Sequence, residues 1–467
     1  MVNPKEFDVI VVGGGVAGYP SAIRGASLGA SVALVECQKL GGICLNWGCI
    51  PTKTLIASIE AMEKAKAGEA LGFSCRDVVP NWPKMQERKN RVVNQLVQGV
   101  EKLLQGNGVS IFYGKGKIRS SQEVVVCLDS GEEIVLRARK GIVIATGSVP
   151  LIPSQWPMDG NAILTSDEIL GLSSIPESLL IVGGGAIGVE FSRIFNALGS
   201  RVILVELMDR ILPFLDARIG QMLSLAMKKQ GVVIKTGVAV QEMRVQNGKV
   251  HTLLTHGETI ETEKVLLAIG REANTKALGL ASLGIQLNPK GFIQTDLFHQ
   301  TAVPGIYAVG DVAGRFLLAY TATAEGIRAV EHALGREILP WEPVVPLTIF
   351  SRPEVACVGL SESEAQKKGI EVRVGRFFFG ANGKALAMDE PDGFVSLIAE
   401  ASTGQLLGGQ VIGPHASDLI AEITLAIQLK ATAKTVANTL HSHPTLSEAI
   451  MECAHDVDGN AIHKVRR

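Results

Sequence analysis

The sequence predicts an α/β protein: two Rossmann-like domains followed by a smaller C-terminal α+β domain. Three observations predict it. Residues 13–36 (GGGVAGYPSAIRGASLGASVALVE) and 183–206 (GGGAIGVEFSRIFNALGSRVILVE) repeat one pattern, a Gly-rich turn, a helix-period stretch, a Leu-Gly stop and an apolar strand. The 467 residues are 46% hydrophobic, and at roughly 100–200 residues per domain they divide into two to four cores. After the Pro-bearing LPWEPVVP at 339–346 the pattern changes to alternating strands (EVRVGRFFF, GFVSLIAE) and a helix, ASDLIAEITLAIQLK.

Each copy of the repeat follows an apolar run, FDVIVV or LLIV, and each ends on an acid, Glu36 or Glu206, 23 residues after its first Gly (13 to 36, 183 to 206). Strand, Gly-x-Gly-x-x-Gly, helix, strand and acid together predict two dinucleotide-binding units. Gly13 and Gly183 permit the tight turn, Gly15 and Gly185 let backbone N–H groups reach a pyrophosphate, and Gly18 and Gly188 allow close helix packing. The helix N-terminus adds unpaired N–H groups for the phosphates. Glu36 and Glu206 are placed to accept ribose hydroxyls. Pro20, inside the first helix, predicts a local kink or a lost hydrogen bond. A carboxylate at 206, with Asp209 beside it and only Arg210 against them, repels a 2′-phosphate, so NAD is expected over NADP.

Two dinucleotides in one chain predict a relay, with a flavin in the first site and an exchanging nicotinamide in the second. GIVIATGS (141–148) and GIYAVGD (305–311), each a buried strand ending in a glycine turn, fit the flavin. Asp311 is expected to bind a ribityl hydroxyl and to cap the helix that follows.

The formal net charge of −1 gives no electrostatic reason to expect nucleic acid or an anionic membrane as a partner. No apolar run approaches the ~18–20 residues that span a bilayer, and MVNPKEFDVIVVGGG enters a buried-type strand at once. No leader is expected, and the location is read as cytoplasmic. Of the seven cysteines, only Cys44 and Cys49, in GGICLNWGCIPTK, stand close in sequence. Zinc needs a second ligand pair, which is missing, and a secretory staple fits the compartment poorly. A redox disulfide remains, or no function at all; no metal is expected.

With GGGVAG, GGICLNWGCIPTK, IATGS, GGGAIGVE, AIGREAN, YAVGDVAG and HSHPTLSE in place, the chain resembles the flavin-dependent pyridine nucleotide–disulfide oxidoreductases over essentially its whole length. Within them it is most similar to the branch that oxidises dihydrolipoyl groups with NAD⁺. The resemblance implies that Cys44 and Cys49 form the redox disulfide, Cys49 against FAD and Cys44 exchanging with substrate. Lys53 would pair with Glu190 beside the flavin. His443, oriented by Glu448, would be the acid–base residue, serving the other subunit of a homodimer, and His441 would only flank it. The implied FAD set is completed by Gly114, Thr146, Gly147, Ser148, Leu317, Ala319 and Tyr320, and the NAD set by Ile187, Glu190 and Gly270. The macromolecular partner would be a lipoyl-bearing protein. The implied division is an FAD domain at 1–150, with a helical insertion at about 54–105, an NAD domain at 151–275, a return to the flavin at 276–346 and a dimerisation domain at 347–467.

Two departures stand out. In LLAYTATAEG, Tyr320 and Thr321 replace a His-Lys pair of the lipoyl-oxidising enzymes, and in GREAN Ala273 replaces a common Pro. They leave room for a paralogue serving a different lipoyl protein or disulfide. Relatives that reduce glutathione would want NADPH, which Glu206 opposes; those with a C-terminal Cys pair are excluded by a tail in which Cys453 stands alone. A catalytically silent flavoprotein is opposed by the intact Cys44, Cys49, His443 and Glu448.

Overall fold

A computed structural model describes residues 4–465 of the chain. The elements that position functional side chains are β1 (Lys5–Val12), α1 (Gly18–Ser27), β2 (Val32–Glu36), α2 (Cys49–Lys66), α3 (Trp82–Gly106), β3 (Ser178–Val182), α4 (Ala186–Ala197), β4 (Arg201–Glu206), α5 (Ala319–Ala333) and α6 (Glu448–Val457). They fall into two compact units. Among the described residues the first comprises 4–55, 83–151 and 270–342, the second 56–82, 152–269 and 343–465.

In the first unit, β1 lies between β2 and the long strand Glu133–Ile144, parallel to both, and Ser110–Tyr113 extends the sheet beyond β2. Ile306–Ala308 returns from late in the chain to pair in parallel with Ile142–Ile144. Val9–Val12 and Val32–Val35 are buried on both faces, which is why they read as continuous apolar runs and not as alternating ones. An antiparallel meander, Lys115–Ser120 and Glu123–Cys127, completes the other side.

The second unit repeats the scheme. β3 is flanked in parallel by β4 and Lys264–Leu267, with Val233–Thr236 and Ile163–Leu164 at the edges. Its last segment forms an antiparallel sheet in the order Leu347–Ile349, Glu354–Gly359, Leu406–Gly413, Phe394–Glu400, Val372–Phe378. The expected alternation fails in GFVSLIAE, since every residue from Phe394 to Ala399 is buried. Helix Ala416–Gln428 and α6 cover one face, packing Ile420, Ile423, Ile450 and Cys453 on Val395, Leu397 and Ala399. On the other, Phe394, Ser396 and Ile398 lie beneath Arg218, Glu362 and Arg376, which pair at 2.7–2.8 Å. Among the described residues no helix is long and apolar enough to cross a membrane.

Candidate active site

The two Gly-rich turns share one backbone geometry at their first and third glycines. Gly13 and Gly183 have φ of +106° and +110°, and a Cβ at either would lie 2.3 Å from a carbonyl, of Ala145 or of Ala268. A Cβ on Gly18 or Gly188 would lie 1.7 or 1.9 Å from the carbonyl oxygen of Gly13 or Gly183. Only glycine fits these four positions. Glu36 accepts the Gly14 N–H at 2.6 Å on Oε2 and the Gln38 N–H at 2.6 Å on Oε1. Glu206 accepts the Gly184 N–H at 2.6 Å and the Met208 N–H at 2.7 Å in the same arrangement. Both carboxylates are buried and locked by main-chain donors, with lone pairs to spare for ribose hydroxyls.

A Cβ on Gly185 would meet nothing within 4 Å, and one on Gly15 only the Cα of Gly42, at 3.7 Å. The space beside these glycines fits a pyrophosphate approaching backbone N–H groups. Ile187 is the second residue of α4, in this turn.

Pro20 is the third residue of α1 and does not break it. The lost hydrogen bond is real, because the Val16 carbonyl, its i−4 acceptor, cannot be reached by a proline. The Thr323 hydroxyl of α5 donates to that oxygen at 2.7 Å.

The thiol loop docks on the first turn. Gly41 N–H donates to the Gly14 carbonyl at 2.8 Å, and a Cβ on Gly42 would lie 2.7 Å from the Gly15 Cα. The short helix Gly42–Asn46 carries Cys44, and Cys49 opens α2. Cys44 and Cys49 stand side by side, sulfur to sulfur; the hydrogen bond with Cys49 and burial push the Cys44 pKa up, against the pull of Lys53. Lys53 follows one turn later on α2, in the first unit, and Glu190 is on α4, in the second.

Opposite the first turn, the Ser148 hydroxyl donates to Asp311 at 2.6 Å and receives Arg271 Nε at 2.7 Å. Asp311 does not cap a helix: it sits inside the 3₁₀ turn Gly310–Ala313, and α5 begins after Leu318 with no side-chain cap. Its carboxylate is occupied by the Ser148 hydroxyl instead. Thr146 Oγ1 donates to the Asn274 carbonyl at 2.8 Å, and Gly147 has φ +71°. Arg271 and Asn274 lie in the AIGREAN motif, but nothing local in the sequence assigned them these partners. Gly270, expected with the nicotinamide, clusters with the first unit, where its carbonyl accepts the Leu151 N–H at 3.0 Å. Gly114, at φ +159°, follows Ser110–Tyr113, and its N–H donates to the Glu36 carbonyl at 2.9 Å. Leu317 holds φ +55° before Ala319 opens α5; Tyr320 is half exposed, while Thr321 is buried with its hydroxyl on the Leu318 carbonyl at 2.8 Å.

In the second unit, His443 Nδ1 and Glu448 Oε1 are 2.9 Å apart, and Glu448 Oε2 accepts the Thr445 N–H at 2.8 Å. Burial acts to raise the Glu448 pKa, but the Thr445 N–H and the His443 ring outweigh it and hold the carboxyl below its usual value. The His443 side chain is 81% exposed. His441 differs: its side chain is 6% exposed, with Nε2 2.8 Å from Glu422 and Nδ1 2.8 Å from the Thr439 carbonyl. Leu425, Leu429 and Leu440 are exposed in the same segment, Leu440 almost completely.

Residues 7–326 match the model of the pyridine nucleotide-disulphide oxidoreductases, and residues 345–454 that of their dimerisation domain. A dihydrolipoyl dehydrogenase of Bacillus subtilis is 41% identical, covering 98% of this chain and 99% of its own. One of Thermus scotoductus is 40% identical, covering 99% and 100%. Among solved structures, LpdA of Mycobacterium tuberculosis superposes with a TM-score of 0.91 at 30% identity, over 97% of this chain and 99% of that one. The HOCl-induced flavoprotein disulfide reductase RclA of Escherichia coli gives a TM-score of 0.86 at 26% identity, over 96% and 99%.

Proposed function

Because the chain belongs to the pyridine nucleotide-disulphide oxidoreductases, we infer that it is an FAD-dependent dihydrolipoamide dehydrogenase, passing electrons from protein-bound dihydrolipoyl groups to NAD⁺. The observation that carries this reading is the Cys44–Cys49 pair, set thiol to thiol on a loop docked against the first dinucleotide turn.

Gly13, Gly15, Gly18 and Glu36, with Gly114, Thr146, Gly147, Ser148, Asp311, Leu317, Ala319 and Tyr320, would hold FAD. Gly183, Gly185, Ile187, Gly188 and Glu206 would hold NAD, with Gly270 between the two sets in sequence. FAD, when bound, supplies two-electron transfer between a thiolate and a nicotinamide. The residues do the rest. His443 takes the proton of one dihydrolipoyl thiol, and Glu448 holds its Nδ1–H so that Nε2 is the base. The resulting thiolate attacks Cys44 of the oxidised pair; a Cys44–substrate bond forms, the Cys44–Cys49 bond breaks, and Cys49 leaves as thiolate. The second dihydrolipoyl thiol then closes the lipoamide ring: its sulfur displaces Cys44 from the mixed disulfide, its proton passes to the departing sulfur, and Cys44 is released as a thiol. Lys53, paired with Glu190, would place a cation beside the reacting thiolate and flavin.

The chain carries a dimerisation domain and forms a homodimer, and the exposed His443 and Leu440 support a site in which His443 serves the disulfide of the other subunit. The macromolecular substrate would be a lipoyl-bearing protein. A dithiol cycle of this kind supports a reducing, cytoplasmic setting.

The test is steady-state oxidation of dihydrolipoamide with NAD⁺ by the purified holoenzyme, with glutathione disulfide plus NADPH as control. NADH formation that vanishes in Cys49→Ser is the expected result. A yellow protein that leaves dihydrolipoamide untouched would sink the substrate assignment and point to Tyr320 and Thr321 as the mark of another disulfide substrate.

A further inference from the structure

Arg193 is a buried guanidinium that the residues above leave without a role. It lies on α4, its side chain is 6% exposed, and it binds four groups on two other segments of the second unit. Its Nη1 donates to the carbonyls of Phe350 and Ser351 at 3.2 and 3.0 Å. Its Nη2 reaches Glu60 Oε1 at 3.1 Å and Glu63 Oε2 at 3.4 Å, both on α2. Arg352, next along the gripped segment, pairs with the same Glu63 oxygen at 3.0 Å.

The consequence lies one turn back along α4. Glu190 and Arg193 are three residues apart and share a helix face. The Phe350 N–H donates to Glu190 Oε1 at 3.1 Å. The residue whose carbonyl Arg193 holds is therefore the residue whose N–H fixes Glu190. Glu190 is 6% exposed, so a main-chain donor on one carboxylate oxygen limits how the group can turn toward a cation on the other. α2 is continuous from Cys49 through Lys53 to Glu60 and Glu63, so the same guanidinium also grips the helix that opens with the flavin-facing cysteine.

We propose that Arg193 is a positioning residue of the redox reaction: by holding the Phe350 and Ser351 carbonyls it keeps the Phe350 N–H on Glu190, and so sets the orientation of the carboxylate read above as the partner of Lys53. The proposal rests on the reading above that Glu190 and Lys53 pair beside the flavin. A guanidinium suits this task because its planar fork serves two carbonyls and two carboxylates at once, which an ammonium cannot do.

The test uses the holoenzyme of wild type, Arg193→Met, Glu190→Gln and the double variant. Each is reduced by two electrons, and the long-wavelength absorbance between the Cys49 thiolate and FAD is followed against pH, with thermal stability measured alongside. Arg193→Met is expected to lower that absorbance at least twofold and to move its pH midpoint in the same direction as Glu190→Gln, with the double variant no further displaced than Glu190→Gln alone. Arg193→Lys keeps a cation against Glu60 and Glu63 but loses the two-carbonyl grip; it replaces Arg193→Met, under the same criteria, if the latter does not fold. If Glu190→Gln moves the band and the Arg193 variants change only thermal stability, or if the effects add in the double variant, the proposal is overturned and the pairing of Glu190 stands. If Glu190→Gln leaves the band and its midpoint unmoved, the pairing and the proposal fall together.

Discussion

The hydroxyl of Thr323, on α5, donates at 2.7 Å to the carbonyl of Val16, 307 residues earlier in the chain. That carbonyl is the one Pro20 leaves without an intrahelical donor. A Gly326 Cβ would lie 2.4 Å from the Ala17 oxygen and 2.3 Å from the Ser21 hydroxyl, so α5 crosses α1 at backbone distance and can deliver the hydroxyl. Thr323→Val strands the acceptor and is expected to cost about 1–2 kcal/mol, read as a lower midpoint for thermal release of the flavin. Thr323→Ser should restore most of it. Equal midpoints for the valine and serine variants would assign the loss to packing and not to the hydrogen bond.

The matched locks on Glu36 and Glu206 give a prediction that separates the two nucleotides. Glu206→Ala removes charge-assisted ribose contacts of about 1.5–3 kcal/mol, so KM for NAD⁺ should rise roughly 10- to 100-fold while flavin content per chain stays at the wild-type level. Glu36→Ala should instead yield a chain that retains flavin poorly. Flavin loss from Glu206→Ala with full retention in Glu36→Ala would reverse the assignment of the two sites.

What was legible in the sequence is what short-range geometry dictates. A strand feeding a turn feeding a helix constrains residues within about 25 positions of one another, so Gly13, Gly18, Glu36 and their counterparts could be placed by spacing. The double glycine 41–42 shows the limit. The residues were visible, but the reason for them, an approach to the Gly15 Cα, depends on where the thiol loop lands. Ser148 and Asp311 are 163 residues apart, and Arg193 and Ser351 are 158 apart. Such partners meet only after the sheets have formed, and no periodicity announces them. The misjudged cap at Asp311 has this cause: its position after a strand suggested a local role, whereas a distant hydroxyl occupies it.

The acid–base assignment of His443 is tested by splitting the reaction. His443→Gln should lower turnover of dihydrolipoamide by about 10²- to 10⁴-fold. Reduction of the flavin by NADH in a rapid-mixing experiment should proceed at close to the wild-type rate, since no proton need pass through residue 443 in that half. Glu448→Gln should fall between wild type and His443→Gln. Equal loss in both half-reactions would place His443 in the fold and outside the chemistry.

Glu325 sets a pH dependence. It is 2% exposed and accepts the Gly310 N–H at 2.7 Å; burial, reinforced by Asp311 and opposed by that N–H and Arg315, pushes its pKa up to about 7. Between the unfolded value of about 4.3 and the native one, the native state binds the additional proton. This contribution to stability is complete below the unfolded value and is lost as pH rises through about 7. Glu325→Gln keeps an oxygen for the Gly310 N–H and removes the titration. It should match the wild type near pH 4–5 and exceed it by about 1–3 kcal/mol at pH 8. The measurement is the midpoint of thermal flavin release at both pH values. A constant difference between the two proteins across that range would show that the carboxyl does not change its protonation there.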